Sequence, residues 1–429
     1  MRRSGENIPR LFCRKWIYFC RNRVRLLIRP QALFLRLEYL MKITESNPRK
    51  RIALIVYTSF EPGRETLRGI AKFAHEFDNW RLLHVPKGDH ISISEWLLDS
   101  EAEGIIARVG DDAMARTLRA TGLPVVDVNR SVLDFGIPQI DADDEGIAAL
   151  VAGHFFDHGF KNIGFYPHES GDQGWSQRRC KFLREECVER ATFHIFEPPV
   201  DQPLGSKAAR HAVRAWIRDL PKPVGIMVAR DDGGLMVLDA CREENMIVPE
   251  QVAVVGVDND LPLCDLSAPP LSSVRLDHHK IGYEAAHLLD RMMASSKPPS
   301  HPLLIPPIRL ITRRSSNTRA IIDPVVALGV HFIYENLSDS KLGNDDLARK
   351  AGISRSLFQR RFRKETGMTI REFLIEVRLT KAKALLQNSN LSLAEISEIV
   401  GFNRQSYLGH VFKKQLGITP GSLRGGQPR

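Results

Sequence analysis

A short helical pattern is written twice in the last fifth of this 429-residue chain, and the repetition restricts the fold of that region more than any other feature. Phe362 and Phe412, Gly367 and Gly417, and Thr369 and Thr419 each stand 50 residues apart (412 − 362, 417 − 367, 419 − 369). In the first copy, Asp345 to Gly352 reads as a short helix with acids in its first turn and a glycine stop. Ser354 is then expected to cap a second helix, Arg355 to Lys364, that turns Leu357, Phe358, Phe362 and the stem of Arg361 inward at helical spacing. Arg355, Ser356, Gln359 and Arg360 are left facing outward. The second copy runs from Leu393 to Gly401 and continues as a helix from Arg404 to Lys414, with Tyr407, Leu408, Val411 and Phe412 expected inward. The two turn glycines are 49 apart (401 − 352), so the second turn holds one residue more.

Two helices joined by a tight glycine-containing turn form the helix-turn-helix unit, whose second helix enters the DNA major groove. The helix-forming run Ile370 to Leu386 joins the copies and spans roughly 25 Å at about 1.5 Å per residue. That is close to the ~34 Å turn of duplex DNA, so one chain is predicted to read two adjacent groove segments. For any single outward arginine, a solvated surface charge is as good an account as a DNA contact. The regional balance decides the matter: Lys341 to Arg429 carries 17 Lys+Arg against 7 Asp+Glu, a net of +10. Double-stranded DNA is the partner such a surface attracts, because each neutralised phosphate releases counterions. Arg360 has the donor fork for guanine and Gln359 the amide for adenine, while Lys413 and Lys414 suit phosphate.

Gly401-Phe402, Gln405-Ser406-Tyr407, Phe412-Lys413-Lys414, Gly417, Thr419-Pro420 and Arg424 resemble the signature of the AraC family. The departures are Leu408 where an aromatic is usual, His410 where arginine is common and Leu423 where tyrosine is usual. The resemblance implies a C-terminal all-α double helix-turn-helix domain over 323–429. Its DNA-facing residues would be Arg355, Ser356, Gln359 and Arg360 in the first copy, and Arg404, Gln405, Ser406, Gly409, His410 and Lys413 in the second.

Charge is distributed unevenly along the rest. Residues 1–40 contribute 10 − 2 = +8, so with +10 overall and +10 in the tail, residues 41–340 sum to 10 − 18 = −8. An acidic body with a basic tail leaves the body free for another task. The basic extension 1–48 is broken by Arg21, Arg23, Arg25, Arg29 and Arg36 before any run could span a bilayer or act as a signal-peptide core, so neither a membrane nor export is expected. It is expected to be poorly ordered, with Met41 as an alternative start. The six cysteines form no C-x-x-C pair, which argues against a zinc or redox motif and a secreted disulfide framework, and for a cytoplasmic protein without metal or cofactor.

From Arg51 onward apolar runs alternate with amphipathic ones. Arg51 to Val56, Arg81 to Val85, Gly104 to Val109, Pro124 to Val128, Asn162 to Tyr166, Thr192 to Phe196, Val224 to Ala229 and Val252 to Asp258 read as buried strands separated by helices. Such alternation means α/β architecture with doubly wound parallel sheets. About 270 residues exceed one comfortable core, so two lobes are expected, with a break near Asp141 to Lys161 and a return to the first lobe after Leu271. Met292 to Pro307 reads as a surface loop before a last strand, Ile308 to Thr312, giving a sensor over 49–312 and a linker over 313–322. Ligands of such sheets lie beyond the carboxyl ends of the strands, where Ser59, Asn129, Arg130, His168, Glu169, Arg230, Asp231 and Asp258 fall. Carboxylates beside arginines suit a polyhydroxylated ligand, with Phe60 or Trp175 packing its apolar face.

Val255-Gly256-Val257-Asp258-Asn259-Asp260 and Leu271-Ser272-Ser273-Val274-Arg275 resemble the LacI family and the periplasmic sugar-binding proteins. The resemblance implies a two-lobed periplasmic-binding-protein-like sensor with ligand residues Ser59, Arg178, Asp231 and Asp258. Lys181 replaces the usual glycine, which leaves the sugar-binding arginine open between Arg178 and Arg179. Arg178 as a solvated charge and Asp231 as a helix cap stand as the plainer alternatives. A sensor of this kind ahead of an AraC-type reader is the plan of xylose-responsive AraC regulators, and implies a homodimer activated by a pentose such as xylose and working with RNA polymerase. A repressor, or a regulator answering a non-sugar molecule, is the alternative. An enzyme on the same lobes is disfavoured by the lack of G-x-x-x-x-G-K-[ST], G-x-G-x-x-G, H-E-x-x-H and G-x-S-x-G. A transport solute-binding protein is disfavoured by the basic tail.

Overall fold

The computed structural model describes residues 49–85, 93–130, 135–168, 174–199, 206–294 and 297–423. The basic extension 1–48 with Cys13 and Cys20, Glu169, and Arg424 of the signature lie outside the described residues.

Lobe 1 begins β1 (Lys50–Ile55), α1 (Glu61–Phe77), β2 (Trp80–His84), α2 (Ile93–Ser100), β3 (Gly104–Ala107), α3 (Asp112–Ala120), β4 (Val125–Asp127) and β5 (Ile140–Ala142). Lobe 2 follows with α4 (Asp144–Asp157), β6 (Asn162–Tyr166), α5 (Gly174–Cys187), β7 (Thr192–Ile195), α6 (Lys207–Asp219), β8 (Val224–Val228), α7 (Asp231–Glu243), β9 (Val252–Val257), α8 (Leu261–Leu266) and β10 (Ser272–Arg275). The chain returns to lobe 1 through α9 (His278–Met293) and β11 (Leu303–Ile305), and rejoins lobe 2 as β12 (Arg309–Ile311). The first sheet has the order β2-β1-β3-β4 and the second β12-β10-β9-β8-β6-β7, the latter parallel except for its β12 edge.

The central strands β3, β8 and β9 carry no polar side chain because both faces are covered, and the period of two divides the strand side chains between two cores. Ile52, Leu54 and Val56 enter the core shared with α1 and α9, while Ala53 and Ile55 enter the one under α2 and α3. Ala253, Val255 and Val257 are divided from Val252 and Val254 in the same way in lobe 2. Helices α1 and α9 meet almost backbone to backbone: a Cβ on Gly69 would stand 1.9 Å from the His279 carbonyl oxygen, and one on Gly282 would stand 2.0 Å from that of Thr66. This contact pins the returning α9 to the first helix of the chain.

The segment 292–307, expected to be loop, contains β11, which pairs in parallel with β5 through Leu303↔Ile140 and Ile305↔Ala142. Both strands have three residues, too few for a periodic pattern to show.

The C-terminal region is all-α: α10 (Pro324–Glu335), α11 (Asn344–Ala351), α12 (Arg355–Thr366), α13 (Ile370–Asn388), α14 (Leu393–Ile399) and α15 (Gln405–Leu416), then a 3₁₀ turn, Pro420–Leu423. Asp323 opens α10 by accepting from the Val325 and Val326 amides. Thr369 and Glu372 form a capping box that starts α13, as Ser392 and Glu395 do for α14. Helix α13 belongs to two cores: Leu374 and Val377 pack with α10, α11 and α12, and Leu379, Ala382 and Leu386 pack with α14 and α15. At about 1.5 Å per residue it is roughly 28 Å long. No helix among the described residues is long and apolar enough to cross a membrane.

Candidate functional site

The two helix pairs present their second helices to solvent. On α12, Phe358 and Phe362 are fully buried, Leu357 is half-buried, and Arg355, Ser356 and Arg360 are exposed with Gln359 half-buried beside them. Arg361 turns back to Asp323, its Nη2 donating to Oδ1 at 2.6 Å, which ties α12 to the start of α10. Arg355 pairs with Asp345 of α11 at 3.2 Å, whereas Arg360 makes no ion pair among the described residues. Ser354 sits at the N-cap without accepting a backbone bond; its hydroxyl lies 3.5 Å from that of Ser356.

On the second pair, Leu408, Val411 and Phe412 are buried and Arg404, Gln405, Ser406, His410 and Lys413 are exposed, with Gly409 half-buried. Tyr407, expected inward, is 41% exposed and meets Phe402 edge-on at 5.7 Å between ring centres. It follows the cap Arg404 by three residues and so lies toward the outward side of the first turn, beside Ser406. Between the pairs, Arg378 of α13 is buried and donates to the carbonyls of Leu337 (3.3 Å) and Asp339 (2.7 Å), with its guanidinium 5.8 Å from the Phe402 ring. One side chain thus touches the first unit and the second, which sequence reasoning missed because an arginine in a helix usually marks a solvent face.

In the sensor, polar side chains converge where the strand ends of the two lobes face each other. Arg178 Nε donates to Asp144 Oδ2 (2.7 Å) and its Nη1 to the Arg130 carbonyl (2.9 Å), crossing from lobe 2 to lobe 1. Arg179 Nε donates to the other Asp144 oxygen (2.9 Å) and its Nη1 to the Ala229 carbonyl (2.6 Å), with its guanidinium 4.8 Å from the Trp175 ring. Both candidate arginines therefore share one carboxylate. Arg178 Nη2 and Arg130 Nε are buried without a hydrogen-bond partner, two donors in this cleft left to be satisfied. Arg230 pairs with Asp232 and stands over the Phe60 ring of lobe 1 at 4.3 Å.

Asp258 directly follows β9, with its carboxylate 3.2 Å from His278 Nε2. Burial pushes its pKa up, but the hydrogen bond and charge of His278, with Arg179 and Arg230 beyond, outweigh burial and hold it at about 2. It is a fixed anion. Asp141 is the opposite case: burial first, then the neighbouring Asp144, raise it to about 7. Asp127 is raised by burial to about 6, while backbone amides of Val109, Asn129 and Arg130 pull it down. Arg108, lowered by burial, donates to Asn129.

Asp231 is fully buried. Its Oδ1 accepts from Ser273 Oγ (2.6 Å) and its Oδ2 from the Asp260 amide (2.7 Å), so it braces the turn that carries Asp258 from behind and is not a helix cap. Ser59 is exposed just beyond β1. Asp141, Asp144, Arg108 and His278 were not singled out from the sequence. They come from positions without motif, and only the crossing of the chain between lobes brings them together.

These features define a class: a periplasmic-binding-protein-like sensor joined in one chain to a double helix-turn-helix DNA reader. Residues 152–316 match the periplasmic binding protein-like domain family, and 347–426 match a helix-turn-helix domain family. The chain is 28% identical over 385 residues to the xylose operon regulatory protein of Escherichia coli (strain K12), covering 88% of this chain and 97% of that one. It is 28% identical to the Haemophilus influenzae protein of the same name over 381 residues, 87% and 98% of the two chains. The solved structure of the xylose-binding transcription activator xylR superposes with a TM-score of 0.75 at 27% identity, covering 89% of this chain and all of that one. In domain order, and over nearly its whole length, the chain is similar to AraC-type transcription regulators of the xylose-operon-regulator type.

Proposed function

We propose that the cleft between the lobes binds an aldopentose, xylose or a close isomer, and that occupancy changes how the two reading helices engage a promoter. The observation that carries this reading is the joining, in one chain, of a buried polar cluster around Asp258 to two exposed basic helices, one bearing Arg355 and Arg360 and the other Lys413 and Lys414. Asp258 and Asp141 would accept from sugar hydroxyls, Arg178 and Arg130 would donate, and Phe60 and Trp175 would pack the ring; Ser59 lies at the rim, and Asp231 holds the Asp258 turn in place. Arg355, Ser356, Gln359, Arg360, Arg404, Gln405, Ser406, Gly409, His410 and Lys413 form the DNA face. The sensor comprises 49–312, the linker 313–322 and the reader 323–429. The chain acts by binding, without turnover of the sugar, in the cytoplasm, as a homodimer that activates a pentose operon by engaging RNA polymerase. Sugar changes DNA affinity only through unequal affinity for the two arrangements.

Calorimetric titration of the full chain with D-xylose, L-arabinose, D-ribose and D-glucose tests this directly. Binding of one aldopentose, lost in Asp258→Ala with promoter affinity kept, supports the reading; no pentose binding, or equal binding by the variant, contradicts it. The pH dependence is an independent check. A hydroxyl donates better to a carboxylate than to a carboxylic acid, so affinity should rise as pH increases through about 7, where Asp141 ionises. Asp141→Asn should flatten that profile.

A further inference from the structure

Asp258 and Asn259 stand side by side with φ of 100° and 55°, a region that residues other than glycine occupy only where their surroundings hold them. The amide of Asn259 donates to Ser273 Oγ (2.9 Å), and its Oδ1 accepts from Arg313 Nη2 (2.8 Å). Arg313 is itself fixed: Nη1 donates to the Leu271 carbonyl (2.9 Å) and its backbone amide to Ser272 Oγ (2.8 Å). The next residue faces the other domain. Arg314 Nη2 donates to Glu250 Oε1 (2.7 Å), and its guanidinium lies 3.6 Å from the centre of the Tyr334 ring on α10. Glu250 is fully buried, so this carboxylate depends on the arginine to offset its charge. Tyr334 packs against the core that seats Phe358 and Phe362 of the reading helix α12. Beside this connection the domains are separated by a cavity of about 890 Å³ lined by Arg313, Arg314, Ile321, Leu337 and Phe373 among others, which gives α10 room to shift.

We infer that Arg313 and Arg314 are positioning residues that carry the state of the cleft to the first reading unit. Asp258 and Asn259 share a peptide unit, so a ligand that re-aims the Asp258 carboxylate away from His278 turns the neighbour that Arg313 grips. Arg313 and Arg314 are consecutive, and the displacement passes to Tyr334 and α10. The path has no break: each step is a covalent bond, a hydrogen bond under 3 Å or a stacked guanidinium. The inference rests on the cleft being the ligand site, and its test separates the two.

The first arm needs no ligand and uses hydrogen exchange of the full chain. Asn259→Gly keeps the left-handed backbone while removing the acceptor, and Asn259→Asp replaces the acceptor with a charged one that grips Arg313 harder. Amides of α10 should exchange at least about threefold faster in the glycine variant and more slowly in the aspartate variant, with α2 unaffected in both. No change at α10, or changes of the same sign, overturns the inference. The second arm uses Arg314→Lys, which keeps a charge for Glu250 and loses the stacked plane. This variant should bind D-xylose within about twofold of the parent and still bind promoter DNA, yet lose most of the sugar-dependent change in DNA affinity. A full sugar response in Arg314→Lys overturns the inference. A parent chain that binds no pentose contradicts the reading of the cleft instead, and the exchange arm then decides the arginine pair alone.

Discussion

The two helix-turn-helix units share one scaffold and differ in what they present. At the common offset of 50, Arg355, Ser356, Gln359 and Arg360 of the first unit correspond to Gln405, Ser406, Gly409 and His410 of the second. The first therefore offers a planar donor fork and an amide where the second offers a glycine and an imidazole. Base edges are distinguished by such paired donors and acceptors, whereas phosphate is held by charge alone. We propose that the first unit discriminates sequence and that the second, with Arg404, Lys413 and Lys414 exposed, holds the duplex in register. Their turns differ as well. Gly352 has φ of 67° and open space around it, while Gly401 has φ of 78° and a Cβ there would stand 2.1 Å from the Leu337 carbonyl oxygen. The second turn is a packed joint against the first unit, and Arg378 lies in the same contact.

The largest expected difference is in folding. Gly401→Ala should destabilise the reader by on the order of 3 kcal/mol, since both backbone and contact forbid it. Gly352→Ala should cost only about 1 kcal/mol, the left-handed conformation alone. Thermal melts of the two full-length variants compare them, and equal losses would mean that the second turn is not the packed joint described. Next in size is sequence reading. Arg360→Ala should lower discrimination between the operator and a guanine-substituted site by about 1–3 kcal/mol in competition binding. A loss that is equal on all DNA would reassign Arg360 to phosphate. Lys413→Ala should weaken all sequences alike and reduce the salt slope of log K by about 0.9; a sequence-dependent loss would give the second unit a reading role. The smallest effect is expected from His410→Ala, under about 0.5 kcal/mol at any base. His410→Arg should instead raise discrimination at the second site, sharpening the asymmetry by removing it.

The exposed face of the reader was legible from the sequence because its residues lie on helices, where periodicity alone separates buried from exposed. The error at Tyr407 shows the limit of that method: a residue on the boundary of the apolar stripe is placed by its neighbours, here Phe402. The sensor was legible as a fold, since apolar strands and amphipathic helices alternate along it, but only partly as a site. Asp258 could be found because it directly follows an apolar strand. Asp144, which both Arg178 and Arg179 grip, could not, because nothing local distinguishes it from the acids beside it. Likewise Asp141 acquires its raised pKa from burial between lobes, a property of the assembled chain.

One measurement reaches the central claim that both units bind consecutive groove segments across the span of α13. Anisotropy titrations should use a labelled promoter fragment and the same fragment with five base pairs inserted between the two contacted segments. The insertion rotates one segment to the opposite side of the duplex, about half a turn away. Affinity should fall to that of a single unit, and ten inserted pairs should not restore it, because they place the second segment a further turn of about 34 Å away, beyond the span of α13. Undiminished affinity with five inserted pairs would contradict simultaneous reading by the two helices.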